Sequence, residues 1–71
     1  MGKVRVPDFI GSRGSDVYLL ALRSGVHAHQ RQVEGAVMHL GNVTTVVAQD
    51  PPAGTTVCRG SDVIVFVDYR P

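Results

Sequence analysis

The stretch QDPPAGTTVCRGSDVIVFV, residues 49–67, joins a stiff turn to a long strand. Pro51 and Pro52 fix their own φ angles and remove two backbone donors, and Gly54 allows a positive φ, so this half predicts a tight turn. The other half continues to residue 69 and alternates in apolar character, which predicts a strand with two different faces. One face carries Val63, Val65 and Val67, and the other carries Ile64 and Phe66.

Upstream of this stretch, the sequence predicts a short edge strand and one helix. Alternation at Val4 and Val6 ends at a proline, which biases the chain toward a turn that closes at Gly11. The helix is predicted over 16–24, with Ser12 or Ser15 as its cap. Gly25 then follows in the left-handed conformation that ends many helices.

The predicted helix is apolar on more than its packing face. Its core stripe consists of Val17, Leu20, Ala21 and Ser24. Three further apolar residues, Tyr18, Leu19 and Leu22, lie off this stripe. Either a neighbouring loop covers them, or they contact an adjacent domain or another copy of the chain.

Two more strands are predicted, over 26–33 and 42–49, and we expect Val37, Met38 and Leu40 to pin the connection between them to the core. One helix covers one face of a sheet. The sequence therefore predicts an α+β domain in β-α-β-β-β order, with a helix on one face of a three-stranded sheet and a short leading strand. The open face would carry His27, His29, Arg31, Ile64 and Phe66.

Size and charge exclude several classes of function. A chain of 71 residues forms one domain with a small core, which leaves little room for a water-excluding active site, so we do not expect an enzyme. With 7 Lys+Arg against 6 Asp+Glu, the net charge is +1 and no basic stripe appears, so nucleic acid is not an expected partner. No stretch resembles a signal peptide or a membrane span. An export signal or membrane anchor, if the native protein has one, is expected outside this chain.

The order and spacing of the motifs, over about 4–69, resemble a divergent PASTA domain. The shared features are V-P-D-x-x-G, a short helix closing at glycine, Q-x-P-x-x-G, and V-x-x-G-S-x-V-x-V-x-V. The matching positions are Val6, Pro7, Asp8, Gly11, Gly25, Gln49, Pro51, Gly54, Val57, Gly60, Ser61, Val63, Val65 and Val67. Arg13 and Gly14 depart from the family, which usually has a capping Ser or Thr followed by an aliphatic residue there.

The resemblance implies a non-catalytic extracytoplasmic module, excised from a larger membrane-anchored protein of a bacterial cell wall. Such domains occur in serine/threonine kinases and penicillin-binding proteins, where they are associated with peptidoglycan fragments and β-lactam-like ligands. The implied partners are muropeptides and neighbouring domains, with weak self-association possible; no cofactor and no direct membrane insertion is implied. The alternative is a structural spacer or dimerisation module without a small ligand.

Residue chemistry suggests where a ligand would bind. Arginine binds carboxylates in a bidentate way, and exposed apolar side chains offer a platform for a ring. The candidate ligand-binding residues are Arg31, Gln49, Arg59, Ile64 and Phe66, and the candidate association surface is Tyr18, Leu19 and Leu22.

Residues that could support metal binding or catalysis also have a simpler interpretation. His27 and His29 lie two apart on a strand and can chelate a metal with His39, but a solvated strand face explains the pair, and no metal site is predicted. Serines, histidines and aspartates are present, yet no nucleophile motif supports a catalytic triad. Cys58 stands beside Arg59, which can activate a thiol, and is predicted to be an ordinary free thiol.

Overall fold

The computed structural model describes residues 2–71 and contains one helix and five strands. They follow one another in the order β-α-β-β-β-β, one strand more than predicted. Their bounds are β1 Lys3–Arg5, α1 Gly14–Ser24, β2 His27–Gln32, β3 Val43–Asp50, β4 Thr56–Cys58 and β5 Asp62–Arg70. The α+β class is confirmed.

The strands form two sheets. In the larger sheet, β5 lies between β2, which runs parallel to it, and β3, which runs antiparallel. In the smaller sheet, β1 pairs antiparallel with β4, in the register Lys3 to Cys58 and Arg5 to Thr56. The leading strand is therefore not a lone edge strand. It pairs with β4, which lies in a segment that the sequence predicted to be a turn throughout.

One apolar core lies between α1, the larger sheet and the segment around Phe9. Valine dominates it, as expected for strands that pack one face against a helix. No polar or charged residue among residues 2–71 is buried. The buried residues are Val6, Phe9, Val17, Ala21, Val26, Ala28, Val46, Val63, Val65 and Val67.

The helix begins two residues earlier than predicted, and neither serine caps it. Arg13 occupies the N-cap position with extended backbone angles, and its side chain makes no capping hydrogen bond. A Cβ on Gly14 would come within 3.1–3.2 Å of the Gln30 and Thr44 side chains, so a small residue suits the close approach of the helix to the sheet. Gly25 ends the helix with φ 77°, as predicted.

The connection between β2 and β3 does not pack as predicted. Val37, Met38 and Leu40 are 61%, 71% and 106% exposed, so they do not pin this loop to the core. These three apolar side chains are not buried by any other part of residues 2–71. The helix α1, the one helix of residues 2–71, is not long and apolar enough to cross a membrane.

Candidate functional site

The face of the larger sheet opposite α1 has the side-chain phasing that the sequence predicted. On β2, Ala28 is buried, while His27, His29 and Arg31 alternate with it and are exposed. In the register with β5, His29 pairs with Ile64 and Arg31 pairs with Phe66. Ile64 and Phe66 are half-buried rather than fully exposed. The face therefore presents one exposed guanidinium directly beside an aromatic ring position.

An aspartate that the sequence did not single out also lies on this face. The Nε2 atom of His29 is 2.9 Å from Oδ1 of Asp62, across the parallel pair of strands. This hydrogen bond from His29 holds the pKa of the Asp62 carboxyl below its ordinary value of 3.8, since it stabilises the charged form. The sequence offered no signal for the pair, because the two residues are far apart in the chain and meet only through strand register.

Gln49 lies on the other side of the sheet, where its amide ties three segments together. Its Oε1 accepts a hydrogen bond from the Phe9 N–H at 2.8 Å. Its Nε2 donates to the Pro7 carbonyl at 3.0 Å and to the Pro51 carbonyl at 3.1 Å. The amide therefore bridges backbone groups of the loop after β1 and of the turn after β3. Both amide N–H groups of Gln49 are thus engaged within the domain, and its role in ligand binding stays a prediction.

Arg59 lies apart from Gln49, at the opposite end of the smaller sheet. Its backbone N–H donates to the Gly2 carbonyl at 3.0 Å. Its guanidinium lies so close to Gly25 that a Cβ there would be 2.7 Å from Nη1. A cation at this place is favourable because the negative end of the helix dipole lies there. The five candidate ligand residues are thus not one cluster, and only Arg31, Ile64 and Phe66 share a surface.

The helix flank forms a second surface. Tyr18, Leu19 and Leu22 are 58%, 52% and 77% exposed, so no loop among residues 2–71 covers them. Tyr18 and Leu22 also form one wall of a groove of about 320 Å³ whose other wall is β2 at Ala28. This groove was not predicted, because it depends on how closely the helix flank approaches the edge of the sheet.

Residues that the sequence suggested for other chemistry have local structural contacts. Ser61 Oγ donates to the Cys58 carbonyl at 2.6 Å, within the turn between β4 and β5. Cys58 is free and exposed, and Lys3 Nζ lies 3.6 Å from its Sγ. His39 is exposed in the loop after β2. In the described range 2–71, no three His, Cys, Asp or Glu side chains come together as a metal site.

The family is decided by a match over nearly the whole chain. The family model described as PASTA domain matches residues 4–69. The chain belongs to the PASTA domain family. This is a family of non-catalytic binding domains, typical of cell-wall-associated kinases and penicillin-binding proteins and generally located outside the cell. No curated protein matches the chain.

The family membership explains the residues around Gln49 as parts of the PASTA fold. The V-P-D-x-x-G segment supplies the Pro7 carbonyl and the Phe9 N–H, and the Q-x-P-x-x-G segment supplies the amide that binds them. Two motifs that are distant in the chain are therefore one structural unit.

Proposed function

We propose that this PASTA domain is a non-catalytic extracytoplasmic module that recognises peptidoglycan fragments, or β-lactam-like ligands, on the open face of its larger sheet. The proposal depends on one observation: Arg31 is exposed and is directly paired in register with Phe66, with Ile64 two residues before it on the same strand face. The guanidinium would bind a carboxylate of a stem peptide, and the two half-buried apolar side chains would contact a ring. The parent protein would be a kinase or a penicillin-binding protein of a cell wall.

Shallow, half-apolar faces of this kind favour weak binding. The open face is a flat sheet surface, so a small ligand would be buried on one side only. We therefore expect affinities in the range where chemical shifts move in fast exchange. A neighbouring domain of the parent protein would supply the other side of the site.

The test is a titration of a defined muropeptide followed by amide spectra of the labelled domain. Saturable shifts around Arg31, Ile64 and Phe66 are expected. Arg31→Gln should weaken binding by about tenfold or more, since a charge-assisted bidentate contact contributes roughly 1.5–3 kcal/mol. Arg5→Gln, the same change on β1 of the other sheet, is the matched control and should leave the affinity unchanged. Shifts clustered elsewhere, or equal affinities for the two variants, would contradict the proposal.

A second function is favoured by the helix flank: protein association or a spacer role without a small ligand. The observation is the exposure of Tyr18, Leu19 and Leu22, three apolar neighbours on a helix surface. Sedimentation over a range of concentrations tests it. A concentration-dependent increase in mass that Leu22→Gln abolishes, together with no muropeptide shifts, would establish this alternative over the first proposal.

A further inference from the structure

The outer edge of β2 carries unpaired backbone groups. The His27 N–H donates to the Ser61 carbonyl at 2.9 Å, and the Val33 N–H donates to the Val67 carbonyl at 3.0 Å. The backbone N–H groups of the odd-numbered residues therefore point toward β5. Because hydrogen bonding alternates along a strand, the N–H and C=O groups of Ala28, Gln30 and Gln32 point away from β5. No strand within residues 2–71 pairs with this edge.

The opposite edge of the sheet is different. There the N–H of Val46 donates to the Ser12 carbonyl at 2.9 Å, and the Gly11 N–H donates to the Val46 carbonyl at 2.9 Å. A bridge between Arg13 and Thr45 adds to this cover. Of the two edges of the larger sheet, the β2 edge is thus the one open to an added strand.

An apolar groove runs directly beside the open edge. Tyr18 and Leu22 of α1 form one wall, and β2 at Ala28 forms the other. His27 and His29 of β2 also line the groove. A strand added to β2 would direct every second side chain into this groove. The remaining side chains would lie on the open face, beside His27, His29 and Arg31.

The charge of β2 indicates which kind of strand would fit beside it. The β2 sequence HAHQRQ contains a guanidinium and two imidazoles and no carboxylate. Asp62 on β5 is engaged with His29, and no carboxylate within residues 2–71 forms an ion pair with Arg31. A second copy of β2 in parallel register would place Arg31 opposite itself, and like charges across strands are destabilising. Carboxylates on an added strand would be opposite a guanidinium instead.

We propose that the β2 edge binds an extended peptide segment with alternating acidic and apolar residues, which joins the larger sheet as a fourth strand. Main-chain hydrogen bonds to Ala28, Gln30 and Gln32 hold the segment. Its apolar residues fill the groove at Tyr18 and Leu22, and its acidic residues lie beside Arg31 and His27. The peptide would share Arg31 with the muropeptide face, but its main-chain pairing with β2 and its contacts in the groove do not depend on that proposal.

The first experiment uses the full chain and the peptide acetyl-Glu-Val-Glu-Val-Glu-Val-amide as the probe. At saturating peptide, amide hydrogen exchange should slow by about tenfold or more at Ala28, Gln30 and Gln32, because they gain partners. Exchange at His29 and Arg31, whose amides already bond to β5, should change far less. The charge-reversed peptide with lysine in place of glutamate is the control and should bind at least about tenfold more weakly.

Variants separate backbone pairing from side-chain effects. Gln30→Pro removes the outward N–H and should weaken binding by about tenfold or more, whereas Gln30→Ala keeps that N–H and should bind like the wild type. Leu22→Gln, at an exposed position that does not threaten folding, should also weaken binding. Circular dichroism establishes that each variant is folded.

Three outcomes overturn the proposal. The peptide could leave the three amides unprotected, or the lysine peptide could bind equally well. The same amides could also become protected on concentrating the domain without peptide, which would identify a second copy as the occupant. Muropeptide affinity measured on Gln30→Pro should be unchanged, so failure of this proposal is distinguishable from failure of the proposed function.

Discussion

The Gln49 amide links two segments of the chain that lie outside the helix and strands. It accepts a hydrogen bond from Phe9 and donates to Pro7 and Pro51, so it joins the first loop to the turn after β3. Small exported domains often use disulfides for such links. This chain has a single cysteine and uses a half-buried amide instead.

We expect Gln49→Leu, which keeps similar volume but removes the amide, to destabilise the domain by about 2 kcal/mol. Three hydrogen bonds are lost, and the Phe9 N–H is left without its partner in a partly buried place. Urea unfolding followed by circular dichroism measures the change. The matched control is Gln32→Leu, whose side chain makes one exposed hydrogen bond to Tyr69 and should cost less than about 0.5 kcal/mol. Equal effects of the two substitutions would contradict the structural role of Gln49.

The pair of His29 and Asp62 has a predictable pH dependence. The folded-state pKa of Asp62 is lowered, so its contribution to stability is present above its unfolded pKa and is lost as the pH falls through the folded value. A carboxyl carbon NMR titration should place the Asp62 midpoint below 3.8. His29→Gln should move this midpoint upward, while His39→Gln in the distant loop should not. An unchanged midpoint in His29→Gln would show that the hydrogen bond does not exist in solution.

At the scale of elements, the start of α1 is the least optimised part of the fold. Arg13 has the extended backbone of an N-cap residue but no side-chain oxygen to accept a hydrogen bond, and it places a cation at the positive end of the helix dipole. Gly14 then lowers the intrinsic helix propensity. The helix consequently depends on the packing of its core face, chiefly Val17 and Ala21.

Arg13→Ser should therefore stabilise the domain, by about 0.5–1 kcal/mol, because a serine oxygen can accept a free N–H of the first turn. Thermal unfolding by circular dichroism measures the gain. The backbone bridge of residue 13 to Thr45 is unaffected by this change. Arg23→Ser is the control with the opposite sign, since it removes a cation from the favourable last turn. A loss of stability in Arg13→Ser would mean that the arginine makes a contact of its own.

At the scale of elements, features set by local interactions were predictable from the sequence, and features set by contacts between distant segments were not. The helix, its Gly25 end and the two faces of β5 were predictable, because periodicity and glycine report on local geometry. β4 was not, because residues 56–58 extend only by pairing with β1, and nothing local distinguishes them from the turn around them. Val37 was wrongly predicted to pack, because apolar character alone does not show whether a loop reaches the core.

In the candidate site, too, some features were predictable from the sequence and others were not. That Arg31 and Phe66 share the open face was predictable from strand alternation, but their direct pairing was not. The link between His29 and Asp62 was not, because it requires the parallel register of β2 and β5. The groove beside Ala28 was equally invisible, since it arises from the distance between a helix flank and a strand edge.

At the scale of the molecule, two sheets share one core although only one of them is covered by the helix. Val6 and Phe9 belong to the buried cluster, with Val4 and Val57 of the smaller sheet packed partly against it. Phe9 lies in the loop after β1, outside any helix or strand, yet none of its surface is exposed. A loop residue thus contributes the largest side chain of the core, and the smaller sheet cannot separate from the rest without exposing it.

Phe9→Ala should therefore unfold the whole domain rather than one sheet. Emptying a fully buried aromatic site costs about 3–5 kcal/mol, which is most of the roughly 4–10 kcal/mol expected for a domain of this length. Ile10→Ala is the control beside it, because Ile10 is 54% exposed and should lose less than about 0.5 kcal/mol. Urea unfolding followed at amides of both sheets measures the result. If β1 and β4 lose structure while β2, β3 and β5 keep theirs, the two sheets are independent units and the shared core does not couple them.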